Sequence, residues 1–402
     1  MTKTVLLVGT MDTKSAEYDY VRGLLTARGL DVLTLDAGVF EADIESDISA
    51  EQVAEAGGGD LAALRAAKDR GQAVEVMTNG VATLLPELYE AGRFHGVLAL
   101  GGSGGTAIAT AGMRELPVGV PKVMVSTMGS GDVSPYVDVK DIAMMYSVVD
   151  IAGLNQLSRQ ILANAAGMIA GAVEQDLPDA QDKPLIAATM FGVTTPCVNM
   201  VRERLEDAGY ELLVFHATGS GGRAMESLIE GGFITGVADI TTTEWCDELV
   251  GGVLSAGPDR LDAAAKTGTP QVVSLGALDM VNFGAMETVP EQFQDRNLYK
   301  HNAQVTLMRT TPEETAELGR IIAEKLNQAT GPTVLFVPLQ GVSMIDAEGQ
   351  AFHDPEADEK LFQAIRDHLD TDRVELVELD HHINDEAFAA AMAERLLDML
   401  ND

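Results

Sequence analysis

The apolar runs TVLLVG (4–9), DVLTLDAG (31–38), GVLALG (96–101) and KVMVST (122–127) constrain this chain more than any other feature. They are nearly continuous rather than alternating, so both faces of each strand need cover, which is the condition of a parallel sheet between helices. Helical periodicity fills the segments between them: Tyr18, Val21, Leu24 and Leu25 share a face, and Gly29 stands where that helix would end. Ser49 with Gln52 reads as a capping box opening a further helix. A strand over 141–147 and a helix over 156–174 complete this half.

The polar, proline-bearing stretch QDLPDAQDKP (175–184) marks a boundary, giving an N-terminal domain over 1–180 and a C-terminal domain over 181–402. Past it, LIAATMFGVTTPCVNMVRERLEDAGYELLVFHATG repeats the layout of TVLLVGTMDTKSAEYDYVRGLLTARGLDVLTLDAG, and ITGVADITTTEW parallels FHGVLALGGSGG. The expected fold is two stacked α/β domains, each with a mainly parallel sheet flanked by helices, Rossmann-like and duplicated in appearance.

A net charge of −35 excludes whole classes of partner. Nucleic-acid affinity comes from cations that neutralise phosphates, and docking on anionic lipid needs them too, so neither partner is expected. The acidic residues are spread along the chain and read as a hydrated surface suited to high salt. No uncharged apolar stretch reaches 18 residues, and MTKTVLLVGTMDT lacks the pattern of a leader, so a cytoplasmic location is expected. Cys197 and Cys246 have no metal-ligand spacing and read as buried thiols.

Two glycine-bearing turns stand at strand ends. The first, GTMDTK (Gly9, Thr10, Met11, Asp12, Thr13, Lys14), follows the opening strand. The second, Gly101, Gly102, Ser103, Gly104, Gly105 and Thr106, sits between a strand and a helix, where exposed amides and the helix dipole favour an anion. It is not a P-loop, because the GxxxxGK[ST] lysine is absent, and the acidic residue that a dinucleotide site needs after the next strand is missing too. Parallel strands bring such turns to one edge, so the two loops would share a crevice. Ser126 and Thr127, in STMGSGD, would join them. There Lys14 supplies a cation, Thr13 a hydroxyl for phosphate or metal, and Asp12 a carboxylate for a metal or its waters. The overall negative field repels an anionic ligand. Affinity should therefore depend on magnesium and hold or improve as salt rises.

In the second half, VFHATGSGGRAMESLI repeats the strand, glycine loop and helix, with His216 and Arg223 beside the glycines. Asp239 and Glu244 flank a threonine run, Asp279 and Asn282 follow another strand, and His301, Glu348 and His353 lie later. These strand ends suggest a second pocket at the domain interface, with His216 as acid or base and Glu244 or Asp279 as base or metal ligand.

Together GTMDTKSAEYDY, GGSGGTAIAT, PVGVPKVMVSTMGSGDVSPYV, MFGVTTPCV, VFHATGSGGRAMESLI, GALDMVNFG and VPLQGVSMIDAEGQAF resemble one family over essentially the whole chain. It is the uncharacterised family related to the ATP-binding N-terminal domain of the tomato mosaic virus resistance protein. The resemblance implies two α/β subdomains, a homodimer, and ATP with Mg2+ in the N-terminal one, on Asp12, Thr13 and Lys14 and on Gly102, Ser103, Gly104 and Gly105. It supplies no reaction. An ATP-dependent enzyme acting on a small-molecule substrate, a nucleotide-responsive binding protein, and a sugar-phosphate enzyme all remain open at this point.

Overall fold

The computed structural model describes residues 2–178 and 180–401 and divides into two compact units, Met1–Asp179 and Ala180–Asp402. In the first, β1 (Thr4–Gly9) leads into α1 (Met11–Ala27) and β2 (Asp31–Asp36). Then come α2 (Ala50–Ala56), α3 (Leu61–Ala67) and α4 (Arg70–Glu90), followed by β3 (Gly96–Gly101) and α5 (Ser103–Glu115). β4 (Lys122–Ser126), α6 (Ser134–Val137), β5 (Ala143–Tyr146) and α7 (Gln156–Glu174) close the unit. The strands form one parallel sheet in the order β2-β1-β3-β4-β5.

The continuous apolar runs are explained by two cores, one on each face of this sheet. Along β1, Val5 and Leu7 join Tyr18, Val21 and Leu25 of α1 and Leu162, Ala165 and Ile169 of α7. Leu6 and Val8 point the other way, onto Met77, Val81 and Leu85 of α4 and Ile108 and Met113 of α5. The central strand β3 is buried throughout. The expected strands over 31–38 and 141–147 are shorter than the sequence suggests. β2 stops at Asp36 because that carboxylate turns the chain, Oδ1 accepting from the amides of Met11 (3.0 Å) and Gly38 (2.8 Å). The Ser49–Gln52 capping box is present at the start of α2.

The second unit opens with β6 (Leu185–Met190), α8 (Thr195–Asp207), β7 (Glu211–His216), α9 (Ser220–Glu230) and β8 (Ile234–Thr241). Two short helices, α10 (Glu244–Val250) and α11 (Ala263–Thr267), precede β9 (Gln271–Gly276). An antiparallel excursion of β10 (Met280–Phe283), β11 (Leu298–Lys300) and β12 (Thr306–Arg309) follows. α12 (Pro312–Leu326), β13 (Thr333–Pro338), α13 (Pro355–His368), β14 (Glu375–Leu379) and α14 (Glu386–Asn401) end it. The main sheet is parallel in the order β14-β13-β9-β8-β6-β7. In both units the second strand lies on one side of the first and the third on the other. The repeated sequence layout is thus repeated as a shared chain path.

Candidate ligand cavity at the switch point of the first unit

Between β1 and β3 the connections run off in opposite directions, and ligands of open α/β sheets bind in the crevice that this reversal leaves at the carboxyl ends of the strands. A cavity of about 730 Å³ opens there, walled by both glycine-bearing turns and by α3 and α4. Thr10, Asp12, Thr13, Lys14, Gly102, Ser103, Gly104 and Gly105 all line it. Two helices point their first turns at it. The N-cap residues, Thr10 for α1 and Gly102 for α5, make no side-chain cap bond, but α1 is kinked at Lys14 and Asp36 already takes its leading amide, which leaves α5 as the uncapped helix N-terminus facing the cavity.

Three cations that no sequence spacing announces share this wall: Arg65, Lys68 and Arg70. They sit where α3 passes into α4 through a turn of two residues. Lys68 takes a left-handed conformation (φ 54°), and Asp69 caps α4 by accepting from the amides of Gly71 and Gln72. A Cβ placed on Gly104 would lie 3.9 Å from Arg70 Nη2, so the guanidinium faces the start of α5 across a gap of side-chain size. Lys14, expected to supply a cation to the glycine loops, shares the cavity with these three. Lys14 lines the cavity, but its Nζ donates to the carbonyl of Ile151 at 3.0 Å.

Asp12 does two things. Its Oδ2 accepts from the amides of Val39 (3.1 Å) and Phe40 (3.0 Å), pinning the loop after β2, while Oδ1 is buried without a hydrogen-bond partner among the described residues. That oxygen lies against Gly38, where a Cβ would sit 2.7 Å from it and 2.9 Å from Asp36 Oδ1; an unpartnered carboxylate oxygen fits magnesium, which commonly takes one or two protein carboxylates and fills its shell with water and substrate phosphate. Nearby Asp36 has its pKa raised, chiefly by burial, against the amides of Gly38 and Met11, with the Asp12 charge adding to the rise.

Five expected ligand residues stand outside the cavity wall, each engaged elsewhere. Gly9 lies against Tyr18, and Gly101 packs against Gly105 and Thr106 at the turn into α5. Thr106 Oγ1 and Ser126 Oγ are 2.7 Å apart in a buried hydrogen bond, and Ser126 also accepts from the amide of Met128. Thr127 donates its amide to the carbonyl of Gly101. They shape the edge from behind.

In the second unit, the residues expected to be catalytic are not brought together as a site. Glu244 is buried: Oε1 accepts from the amides of Gly219 (2.7 Å) and Gly222 (3.0 Å), and Oε2 from Arg260 Nε (2.7 Å). Arg260, buried as well, also pairs with Asp239 (2.5 Å) and Glu226 (3.2 Å). The glycine loop here therefore does form an anion cradle, and Glu244 fills it. His216 is exposed at the end of β7. Asp279 is buried, accepting from Ser343 Oγ at 2.7 Å, and burial raises its pKa to about 6. Asn282 donates to Asp247, and His301 lies in the exposed turn after β11. A second cavity, about 580 Å³, is lined by Glu348, His353, Asp346 and Asp358 among others; the last two share Arg309. The pKa of Asp346 is raised by burial and by the neighbouring carboxylates. Cys197 and Cys246 are free and buried. No helix among the described residues is long and apolar enough to cross a membrane.

The first unit is thus a doubly wound α/β domain with a cavity at its switch point, followed by a second unit that opens on the same chain path. The chain belongs to the uncharacterised protein family UPF0261, whose N-terminal domain matches residues 3–178 and whose C-terminal domain matches 183–400. A UPF0261 protein of Clostridium tetani is 55% identical over 402 residues, covering all of both chains. The ToMV resistance protein Tm-1 of Solanum lycopersicum is 46% identical over 337 residues, covering 82% of this chain and 45% of the tomato protein. Among solved structures, a UDP-N-acetylglucosamine 2-epimerase from Rickettsia bellii aligns over 100% of this chain and 96% of its own at 10% identity. Its TM-score is 0.24, too slight a likeness to carry a functional reading.

Proposed function

We propose that the first unit binds ATP as its magnesium complex in the switch-point cavity. The observation that carries this reading is a convergence. The uncapped N-terminus of α5, the cations of the α3–α4 turn and the unpartnered Oδ1 of Asp12 meet at one cavity whose remaining wall is apolar. The amides of Ser103, Gly104 and Gly105 and the guanidinium of Arg70 take the phosphate chain, and Lys68 adds charge at its far end. Asp12 Oδ1 holds the metal or one of its waters, with Thr13 beside it. Magnesium neutralises phosphate charge there; orientation is the work of the backbone. Calorimetric titration of ATP with and without magnesium tests the proposal. A micromolar-range affinity that collapses without the metal supports it, and no heat in either case refutes it.

A nucleotide-responsive binding protein is favoured over an enzyme within this reading. The carboxylates lining the cavity are Asp12 and Asp69, and both are committed to holding backbone, at the 39–40 loop and at the start of α4. Neither is placed as a free general base. Phosphate release from ATP above the uncatalysed rate, measured with and without a pool of metabolites, would reverse that preference. We also carry forward a cytoplasmic homodimer as part of the proposal, with light scattering of the purified chain as its test.

A further inference from the structure

We infer that Phe40 is the stacking platform for the base of the nucleotide, and that no side chain reads the edge of that base. The inference rests on the nucleotide reading above and deepens it. Phe40 lines the cavity yet is 64% exposed. The loop that carries the ring is fixed from three sides. Asp36 takes the amide of Gly38, Asp12 takes those of Val39 and Phe40, and Arg65 Nε donates to the carbonyl of Val39. The backbone is pinned so that a largely exposed ring stands at the cavity.

The rest of that wall is Val39, Leu64, Ala73, Val74, Met77 and Ile108. None of these side chains has a donor or a strong acceptor to pair with a purine or pyrimidine edge; Met77 offers only a weakly accepting thioether. The polar lining residues belong to the two turns and to the α3–α4 passage, the places already assigned to phosphate and metal. A planar base entering here gains stacking and apolar contact, and aromatic stacking accepts every base because every base has a π-face. The ligand class is therefore a nucleoside triphosphate recognised by its phosphates and by flatness, with little discrimination among adenine, guanine and cytosine.

The test is calorimetric titration of ATP, GTP, CTP and inorganic tripolyphosphate, all with magnesium, into the intact chain and into Phe40→Ala and Phe40→Trp. The expected result is that the three nucleotides bind the unmodified chain within about tenfold of one another. Phe40→Ala should weaken each of them about five- to hundredfold, leave tripolyphosphate unchanged, and be rescued by Phe40→Trp. The side chain is exposed, so neither variant should disturb folding, and a circular dichroism melt verifies that. Unchanged nucleotide affinity in Phe40→Ala overturns the platform, and a preference for ATP beyond about a hundredfold overturns the absence of edge reading. Tripolyphosphate binding as tightly as the nucleotides would sink the base subsite while leaving the phosphate site standing. Failure of all four ligands to bind overturns the nucleotide reading itself.

Discussion

The hydroxyl of Tyr18 occupies the space a side chain on Gly9 would need: a Cβ there would lie 1.7 Å from Tyr18 Oη. That hydroxyl donates to the carbonyl of Val8 (2.6 Å) and accepts from the amide of Leu100 (2.9 Å). Pairing between β1 and β3 runs only as far as Val8 opposite Ala99, so Tyr18 satisfies backbone groups left open where the strands part. The glycine that looked like part of a phosphate turn is there for the tyrosine. Gly9→Ala should cost roughly 1–3 kcal/mol through overpacking. Tyr18→Phe should cost a similar amount by leaving buried backbone groups unpaired. Urea denaturation followed by far-ultraviolet circular dichroism checks both, and an unaltered midpoint in either variant would contradict this packing.

Gly104 is the opposite case. Its nearest neighbours to a new Cβ are Arg70 Nη2 and Val74 Cγ2, both at 3.9 Å, an ordinary contact distance. Gly104→Val should therefore fold normally, while its side chain fills the gap between the start of α5 and Arg70. ATP binding should be lost. A variant that unfolds would show that the glycine serves packing after all.

The cations reverse an expectation about salt. With Arg65, Lys68 and Arg70 joining Lys14 around the cavity, four cations stand against the carboxylates of Asp12 and Asp69 there, even though the chain carries −35 overall. Screening should weaken ATP binding as monovalent salt rises past about 0.1 M, where the Debye length is about 10 Å. Arg70→Met should weaken it by about ten- to hundredfold, the worth of a charge-assisted hydrogen bond, and flatten the salt dependence. Titrations of both chains across a salt series decide the matter. Affinity that holds or improves with salt would restore the repulsive picture.

In the second unit, Trp245 is the single tryptophan and is buried beside Glu244, so its fluorescence reports unfolding of that unit. Glu244→Gln leaves Arg260 short of one buried partner and should lower the stability seen by this probe by about 3–5 kcal/mol. ATP affinity should not move. A fall in affinity with no loss of stability would return Glu244 to the list of ligand-binding groups.

Asp247 gives a dependence on pH. Burial pushes its pKa up to about 6, against the amides of Leu254 and Asn282 and the Asn282 side chain that it accepts from. In the unfolded chain an aspartate titrates near 3.9. Between those values the native state holds the proton that the unfolded state has lost, so stability is greatest below about pH 4 and declines toward pH 6. Relative to Asp247→Asn, the intact chain should lose up to about 3 kcal/mol over that interval and nothing further above it. Urea titrations read by Trp245 fluorescence across pH 4–8 measure the difference, and a flat difference would place the carboxylate in a wetter setting.

Much of the first unit was legible because burial on both faces of a parallel strand leaves an unbroken apolar run, and GVLALG is such a run with every residue buried. The two turns were legible for a related reason: a parallel sheet delivers its strand ends to one edge. What could not be read was contact across long separations. Arg65, Lys68 and Arg70 reach the cavity from a helix turn far along the chain, and nothing in their spacing distinguishes them from surface cations. Glu244 failed differently. Its residue type suits catalysis and its place at a strand end suits a site, but only the structure shows that both oxygens already have donors.

The two cradles draw their anions from different sources, and this gives the halves of the chain different relations to their surroundings. Glu244 is tethered to the amides it serves, so that cradle is filled at any solute concentration. The first unit, under the proposed function, must collect its anion from solution. Its stability then rises with free ligand by mass action, by about 2.7 kcal/mol when the ligand stands at a hundred times its dissociation constant. Depletion of the nucleotide would loosen the first unit. Its proteolytic lifetime would then follow the supply of ligand, making that unit a gauge of its chemical environment.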